Sequence, residues 1–279
     1  MNPFSAFFTV ILVNPIINIV VAIYHVLLYL HIPYSLGFSI IFMTAIVRLL
    51  LYPITASQLR TTKKMQELTP HLSKIKEKHK GDMKRQQEET MALYKAHNIN
   101  PASGCLPGLV QIVLLVFGLY PALLKVINLT PKQTVEVINK TVYFSFLRLN
   151  SAWDTHFFGL SIGKTPQQLL AVAGFVVILI PIATAAFQFV QTKMMIPLPV
   201  DNAPVVKKKA EEDFATTFQK QSLYLMPLMI GFFSFRFPIG LSLYWNTFTI
   251  FGIIQQYKLQ GLGSLTPLYE KYILKSGDK

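Results

Sequence analysis

Arg48 is the first charged side chain in this chain of 279 residues, so 47 residues pass before any Asp, Glu, Lys or Arg occurs. A soluble domain keeps charge on its surface at intervals of a few residues, whereas a chain solvated by hydrocarbon has to avoid it. Further long stretches, interrupted at most by one arginine, cover residues 36–59, 101–124, 165–192 and 221–257. Each is long enough to cross about 30 Å of hydrocarbon as a helix. Overall, 52% of the residues are hydrophobic and 14% are charged, well under the roughly 25% charged residues of a soluble domain.

The stretch 221–257 is too long for one crossing. Its middle holds Arg236, Phe237, Pro238 and Gly240, and proline with glycine marks a tight turn, which divides it into two spans. The sequence therefore predicts an all-α membrane protein with five transmembrane helices, an interfacial N-terminal helix and a cytoplasmic helical hairpin. The expected order is an N-terminal segment (1–34), a first span (35–59), the hairpin (60–100), a second span (101–128), an extracytoplasmic loop (129–164) and a third span (165–192). A cytoplasmic loop (193–220), a fourth span (221–236), a fifth span (238–258) and a cytoplasmic tail (259–279) complete it.

Residues 3–31 also lack charge, but Asn14, Pro15 and Asn18 interrupt them. Asn18, Ala22, His25 and Tyr29 recur at helical spacing opposite Ile, Val and Leu, the pattern of a helix lying in the interface. A sixth span is the alternative. No Arg-rich transit peptide and no cleavable signal is evident at the start of the sequence.

Net charge is +13, and in a membrane protein its placement sets orientation. Residues 60–100 hold ten basic side chains and five acidic ones, whereas 129–164 hold Lys132, Lys140, Arg148 and Lys164. The first loop is thus expected in the cytoplasm and the second outside, with the C-terminus inside. Within the first loop Met65, Leu68, Leu72 and Ile75 form an apolar seam, and Gly81-Asp82 ends the helix that carries it. The resulting charged hairpin is either a stiffening element or a docking surface. Residues 193–220, with Pro197, Pro199, Pro204 and the run Lys207–Lys209, read as a flexible connection.

Arg48 lies 11 residues past Gly37, about 16 Å along a helix and so near the bilayer centre. A cation there costs on the order of 3 kcal/mol even on the mild insertion scale. No Asp or Glu falls in any expected span, which leaves water, and hence a cavity, to solvate it; snorkelling to the interface is the bland reading. Polar residues line other spans: Thr44 one turn before Arg48, Gln111, then Thr184, Gln188 and Gln191, then Ser242, Trp245, Asn246, Thr249 and Gln256. Each alone could simply hydrogen-bond helix to helix. Together with one unpaired cation they suggest a shared groove for a polar, extended guest.

Catalysis finds little support. The six histidines show no metal-ligand spacing, Cys105 is the lone cysteine, and no Gly-rich phosphate loop is present. No metal or cofactor is expected.

The motifs Gly37-Phe-Ser-Ile-Ile, Thr44-Ala-Ile-Val-Arg48, Tyr52-Pro53 and Lys64-Met-Gln-Glu-Leu-Thr-Pro70 occur in this order. They are followed by Met91-Ala-Leu-Tyr-Lys95, Asn100-Pro-Ala-Ser-Gly-Cys-Leu-Pro107 with Gln111, Phe237-Pro-Ile-Gly-Leu-Ser-Leu-Tyr-Trp245 and Ile254-Gln-Gln256. In this series the sequence resembles the YidC family of membrane protein insertases over roughly residues 15–260. The resemblance implies a five-helix core whose arginine, matched by Arg48, lies in a hydrophilic groove open to cytoplasm and lipid. It assigns Thr44 to substrate contact, Tyr244 and Trp245 to the aromatic pair of the last span, and Gln188 or Gln191 to the groove glutamine of the third.

The implied activity is insertion and chaperoning of nascent membrane proteins in a bacterial plasma membrane, without a cofactor. Nascent membrane proteins, the ribosome, the Sec translocon and the lipid bilayer are candidate partners, and no specific nucleic-acid sequence is. The large periplasmic domain of Gram-negative members has no counterpart in this sequence, and the loop with Trp153 and Asp154 matches no family pattern. A secondary transporter that binds a small anion at Arg48 is the rival reading.

Overall fold

The computed structural model describes residues 3–100, 109–196 and 214–269. The lysine run at 207–209, Cys105 with its neighbours 101–108, and the end of the basic tail lie outside the described residues. The described chain is mostly helical, in keeping with the all-α expectation, and divides into two units. One comprises Met1–Leu50, Val110–Phe189 and Tyr224–Phe251, the other Leu51–Leu109, Val190–Leu223 and Gly252–Lys279.

Among the described residues three helical stretches are long and apolar enough to cross a membrane: Pro3–Tyr29, Leu109–Ile127 and Pro166–Met194. A fourth is added if α3 (Ser35–Leu50) and α4 (Tyr52–Glu67) count as one broken span. The single first span expected over 35–59 is therefore two helices. Pro53 sits in the first turn of α4, where its missing N–H and its steric restriction on Tyr52 favour a new helix start over continuation of the old. At 16 residues, α3 reaches about 24 Å, short of the roughly 30 Å of hydrocarbon.

The first stretch contains α1 (Pro3–Phe8), a π-helical turn at Thr9–Val13, and α2 (Asn14–Tyr29). Its middle is enclosed by protein: Ile17, Val20 and Val21 are fully buried, and α2 packs along α3 and against the last turns of α7 (Leu109–Ile127). Two of the positions that suggested an interfacial helix, Asn18 and His25, have protein partners, whereas Tyr29 is exposed. Asn18 donates to the carbonyl of Thr141 (3.1 Å) and accepts from the Tyr143 amide (2.8 Å), and a His25 ring nitrogen lies 3.2 Å from the carbonyl oxygen of Leu147.

Those carbonyls and amides belong to the segment after α8 (Pro131–Thr141). Asn139 exchanges two bonds with Leu149, and the Trp153 indole donates to the Val126 carbonyl. Asp154 accepts from the His156 amide (2.9 Å) and pairs with its ring (2.7 Å), bonds that hold its carboxyl below the usual carboxylate range. A two-stranded hairpin follows, β1 (His156–Phe157) antiparallel to β2 (Leu160–Ser161). Its Phe157 ring lies on Gly37 of α3, edge-on to Phe38 at 5.4 Å between centroids. A Cβ at position 37 would overlap that ring. Gly37→Ala should cost about 1–3 kcal/mol, read as a lower melting temperature in detergent, and Phe157→Ala in the same chain should recover part of it because the obstruction is a side chain.

The third candidate span is α9 (Pro166–Ala173), opened by a capping box of Thr165 and Gln168, and α10 (Leu179–Met194). Gly174, at φ +67°, ends α9, and a 3-10 stretch joins the two. α11 (Phe214–Arg236) and α12 (Ile239–Gln260) are 23 and 22 residues long and meet at Phe237-Pro238. Their polar residues make both less apolar than the three stretches above. The start of α12 is capped by backbone: the Ile239 amide donates to the Lys164 carbonyl and the Gly240 amide to the Ile162 carbonyl (2.9 and 2.8 Å), while Pro238 has no amide to satisfy. The outward surface of the α9–α10 stretch is greasy, with Phe175 82% exposed, a property expected of a lipid-facing wall and rare in a soluble monomer.

In the second unit α5 (Thr69–Lys78) and α6 (Met83–Ala96) follow α4. Leu68, Tyr94 and Ile99 are buried together, with Met65, Leu72 and Leu93 packed against them. Asp82 caps α6 by accepting from the Arg85 amide, and Glu89 binds both Lys78 (3.3 Å) and His79 (2.8 Å). Gln66 donates to the Met195 carbonyl and Gln260 to the Leu59 carbonyl. α13 (Thr266–Tyr269) ends the described chain.

Candidate functional site

A cation buried in an apolar bundle must find compensation, and Arg48 finds it on α12. The side chain is 4% exposed. Its Nε and Nη2 both donate to the Phe248 carbonyl, at 3.0 and 2.7 Å, and the guanidinium lies 3.4 Å from the centroid of the Phe248 ring. A carbonyl oxygen has a second lone pair to offer beyond its helical bond, and the face of an aromatic ring carries partial negative charge. Arginine suits both partners, since its planar fork can donate twice and stack at once.

The residues near this pair are enclosed as well. Thr44 is fully buried, and its hydroxyl donates back to the Ile40 carbonyl at 2.6 Å, which uses its one donor and leaves both acceptor lone pairs unspent by that bond. Tyr244 is buried, its ring 5.7 Å from that of Phe248. Helical spacing explains the grouping: Thr44 and Arg48 are one turn apart on α3, and Tyr244 and Phe248 one turn apart on α12.

A second polar group joins α10, α11 and α12. The Trp245 indole donates to the Gln188 side chain at 3.3 Å. Next to it the hydroxyls of Thr184, Ser234 and Ser242 form a buried chain, 3.1 Å between the first two and 2.8 Å between the last two. Thr184, Ser234, Ser242 and Trp245 line a cavity of about 260 Å³ that is otherwise apolar. Gly231 lets α11 approach α10 closely here, since a Cβ would stand 2.9 Å from that of Ala185. The side chains of Gln111 on α7 and Gln191 near the end of α10 have no hydrogen bond to another described residue, and Gln191 belongs to the second unit.

The structure thus brings Arg48 and Tyr244 together around Phe248, with Thr44 one turn before Arg48 on α3, and joins Gln188 to Trp245 beside the hydroxyl chain. Phe248 and Ser234 are the members that sequence reasoning missed. Among the described residues no three His, Cys, Asp or Glu side chains stand close enough to hold a metal ion.

Apolar helices of spanning length, one enclosed cation and hydrogen-bonding side chains aligned on their inner faces define a polytopic membrane protein with a polar interior. The sequence matches the family described as 60Kd inner membrane protein over residues 27–263, and the chain belongs to that family, the family of YidC-type insertases. It is 32% identical over 247 residues to the inner membrane protein ALBINO3 of Arabidopsis thaliana chloroplasts, covering 85% of this chain and 49% of that protein. It is 33% identical over 227 residues to the membrane protein insertase YidC of Chlamydia trachomatis, covering 80% and 25%. With the membrane protein insertase MisCA of Bacillus subtilis the figures are 32% over 230 residues, 81% and 70%. The chain spans about half the length of ALBINO3 and a quarter of that YidC.

Proposed function

We propose that this chain inserts nascent membrane proteins and helps them fold, through a polar groove lined by Arg48, Thr44, Gln111, Gln188, Gln191, Tyr244 and Trp245. The observation that carries the reading is Arg48 itself: an enclosed cation held by a carbonyl and a ring, bonds that can be exchanged for those of an incoming polypeptide. The chain would sit in a bacterial plasma membrane with five spans, the first made of α3 and the start of α4. The N-terminal segment would lie in the outer interface, with a sixth span as the alternative that the length of Pro3–Tyr29 allows, and the C-terminus and the charged α5–α6 pair would lie inside. That pair would receive the nascent chain or its ribosome, and the Sec translocon is a further candidate partner.

In this mechanism the groove lowers the desolvation cost of the short polar tail of a single-spanning guest. Arg48 attracts the carboxylates of the tail for a time, in surroundings where the attraction is stronger than in water. The apolar span of the guest moves along the third and fifth spans into lipid, and its transfer out of water supplies the driving force without a nucleotide or cofactor.

Site-specific photocrosslinking tests this. Probes at Thr44, Gln188 and Trp245 should capture ribosome-bound chains of a short single-spanning protein, and only when its span has emerged. A probe at the exposed Phe175 serves as the lipid-facing control. Silence at all three groove positions while insertion proceeds would overturn the groove mechanism and return attention to anion transport.

A further inference from the structure

The last residue of α11 is a cation that the groove does not use. Arg236 is exposed and forms no hydrogen bond or ion pair among the described residues. Its guanidinium lies 5.6 Å from the centroid of the Phe232 ring, one turn back on the same face. Both side chains line an open hollow of about 970 Å³, together with Phe233 and, from the start of α9, Thr165, Gln167 and Gln168.

The α9 side of the hollow has donors to give. In the capping box the Gln168 side-chain oxygen is spent on the Thr165 amide (2.9 Å), and the Thr165 hydroxyl oxygen accepts from the Gln168 amide (3.1 Å). The NH2 of Gln168 and the hydroxyl proton of Thr165 remain to be donated. None of the residues lining the hollow is acidic.

The hollow also sits where the chain turns at one surface of the bilayer. α11 ends at Arg236 and α12 starts at Ile239, and the Ile239 and Gly240 amides reach carbonyls of Lys164 and Ile162 just before α9. Leu225, Leu228 and Phe232 are exposed on the face of α11 that Arg236 closes, at spacings of three, four and four. An apolar stripe thus runs from the cation toward the bilayer interior.

We propose that this hollow holds the headgroup of an anionic phospholipid whose acyl chains lie along Leu225, Leu228 and Phe232. A phosphodiester carries one negative charge on two free oxygens, acceptors for the guanidinium fork and for the Gln168 amide. A zwitterionic headgroup adds an ammonium, to which the hollow offers a like charge and no carboxylate. An inorganic anion would satisfy the donors and leave the stripe bare, in a space of the size that small-molecule sites have, roughly 300–1,000 Å³. Binding here does not depend on what the chain inserts, and in the proposed topology the leaflet is the outer one.

Native mass spectrometry of the full chain in detergent tests this by counting bound lipids. Phosphatidylglycerol and phosphatidylcholine with the same acyl chains are titrated separately, then against inorganic phosphate. One phosphatidylglycerol should be held roughly tenfold more tightly than phosphatidylcholine and should resist millimolar phosphate. Arg236→Gln should bring the two lipids level. Gln168→Glu should do so too: its carboxylate can still accept from the Thr165 amide and keep the capping box, but it removes two donors and repels the phosphate. A phosphatidylglycerol with a diazirine midway along one chain should label the peptide that holds Leu225, Leu228 and Phe232.

Equal affinity of the parent chain for the two lipids would overturn the site and leave Arg236 as a cation snorkelling to the interface. Displacement by phosphate would make the hollow a free-anion site, and labelling confined to other helices would place the lipid elsewhere; either overturns it. A preference lost in Arg236→Gln but kept in Gln168→Glu would mean attraction to a bare charge without a built site. The lipid preference and the labelling are read on the parent chain, so a misfolded variant cannot mask the outcome.

Discussion

Arg48→Met should reduce insertion of a guest with an acidic tail at least about tenfold, while the melting temperature of the protein in detergent stays level or rises. The two expectations have one physical origin. Enclosing a guanidinium costs several kcal/mol of hydration, and replacing buried charge by apolar side chains of similar volume is often neutral or stabilising by about 1–4 kcal/mol. Methionine fills much the same space with a flexible apolar chain. The Phe248 carbonyl lies inside α12, where the helical ladder already supplies one donor, so losing Arg48 does not orphan it. Activity moves the other way, because the attraction for guest carboxylates disappears. Arg48→Lys should fall between, keeping the charge but losing the double donation and the stacking on Phe248. Insertion rates in proteoliposomes and thermal unfolding of the same preparations decide it. A large loss of stability with insertion unchanged would make Arg48 a structural residue and end its role in the mechanism.

Arg48 could be picked out from the sequence because a charge inside an apolar run is an anomaly that hydrocarbon does not tolerate without cause. The same holds for Thr44, Gln188 and Trp245, each conspicuous among Ile, Leu, Val and Phe. Phe248 was invisible for the converse reason: a phenylalanine on an apolar helix breaks no pattern, and its value as a ring and carbonyl under the guanidinium exists only once α3 and α12 are side by side. Ser234 was hidden similarly, since only Thr184 and Ser242 lay on helices already read as polar. The stripe of Asn18 and His25 was a real signal with a partner no periodicity can name, the backbone of residues 141–147. Helical spacing tells which residues share a face, and says nothing of what that face meets. The break at Leu51 was written in Tyr52-Pro53, but an uncharged run conceals where one helix stops and the next begins.

Gly163→Ala should be the most damaging single methyl that can be added to the loop before α9, costing on the order of 3 kcal/mol. The added Cβ would stand 2.5 Å from the Ile127 carbonyl oxygen. That atom belongs to the last turn of α7 and can yield only if backbone moves. Movement there propagates to α12, because the carbonyls of Ile162 and Lys164, on either side of Gly163, accept from the Gly240 and Ile239 amides. Pulled away, they leave two donors at the start of that helix without partners. Gly240 supplies the control from the same neighbourhood. A Cβ there would meet the flexible end of the Ile127 side chain at 3.2 Å and the Ile162 carbonyl at 3.3 Å, contacts that a change of rotamer and a shift of tenths of an ångström relieve. Gly240→Ala should therefore lower the melting temperature less than Gly163→Ala. Trimming Ile127 to Ala should ease the former and do nothing for the latter. Hydrogen exchange at Ile239 and Gly240 provides the local reading: faster in Gly163→Ala, near the parent rate in Gly240→Ala. Equal losses in the two variants would mean that the loop follows α7 as a soft surface, and that the start of α12 is held by something other than those two carbonyls.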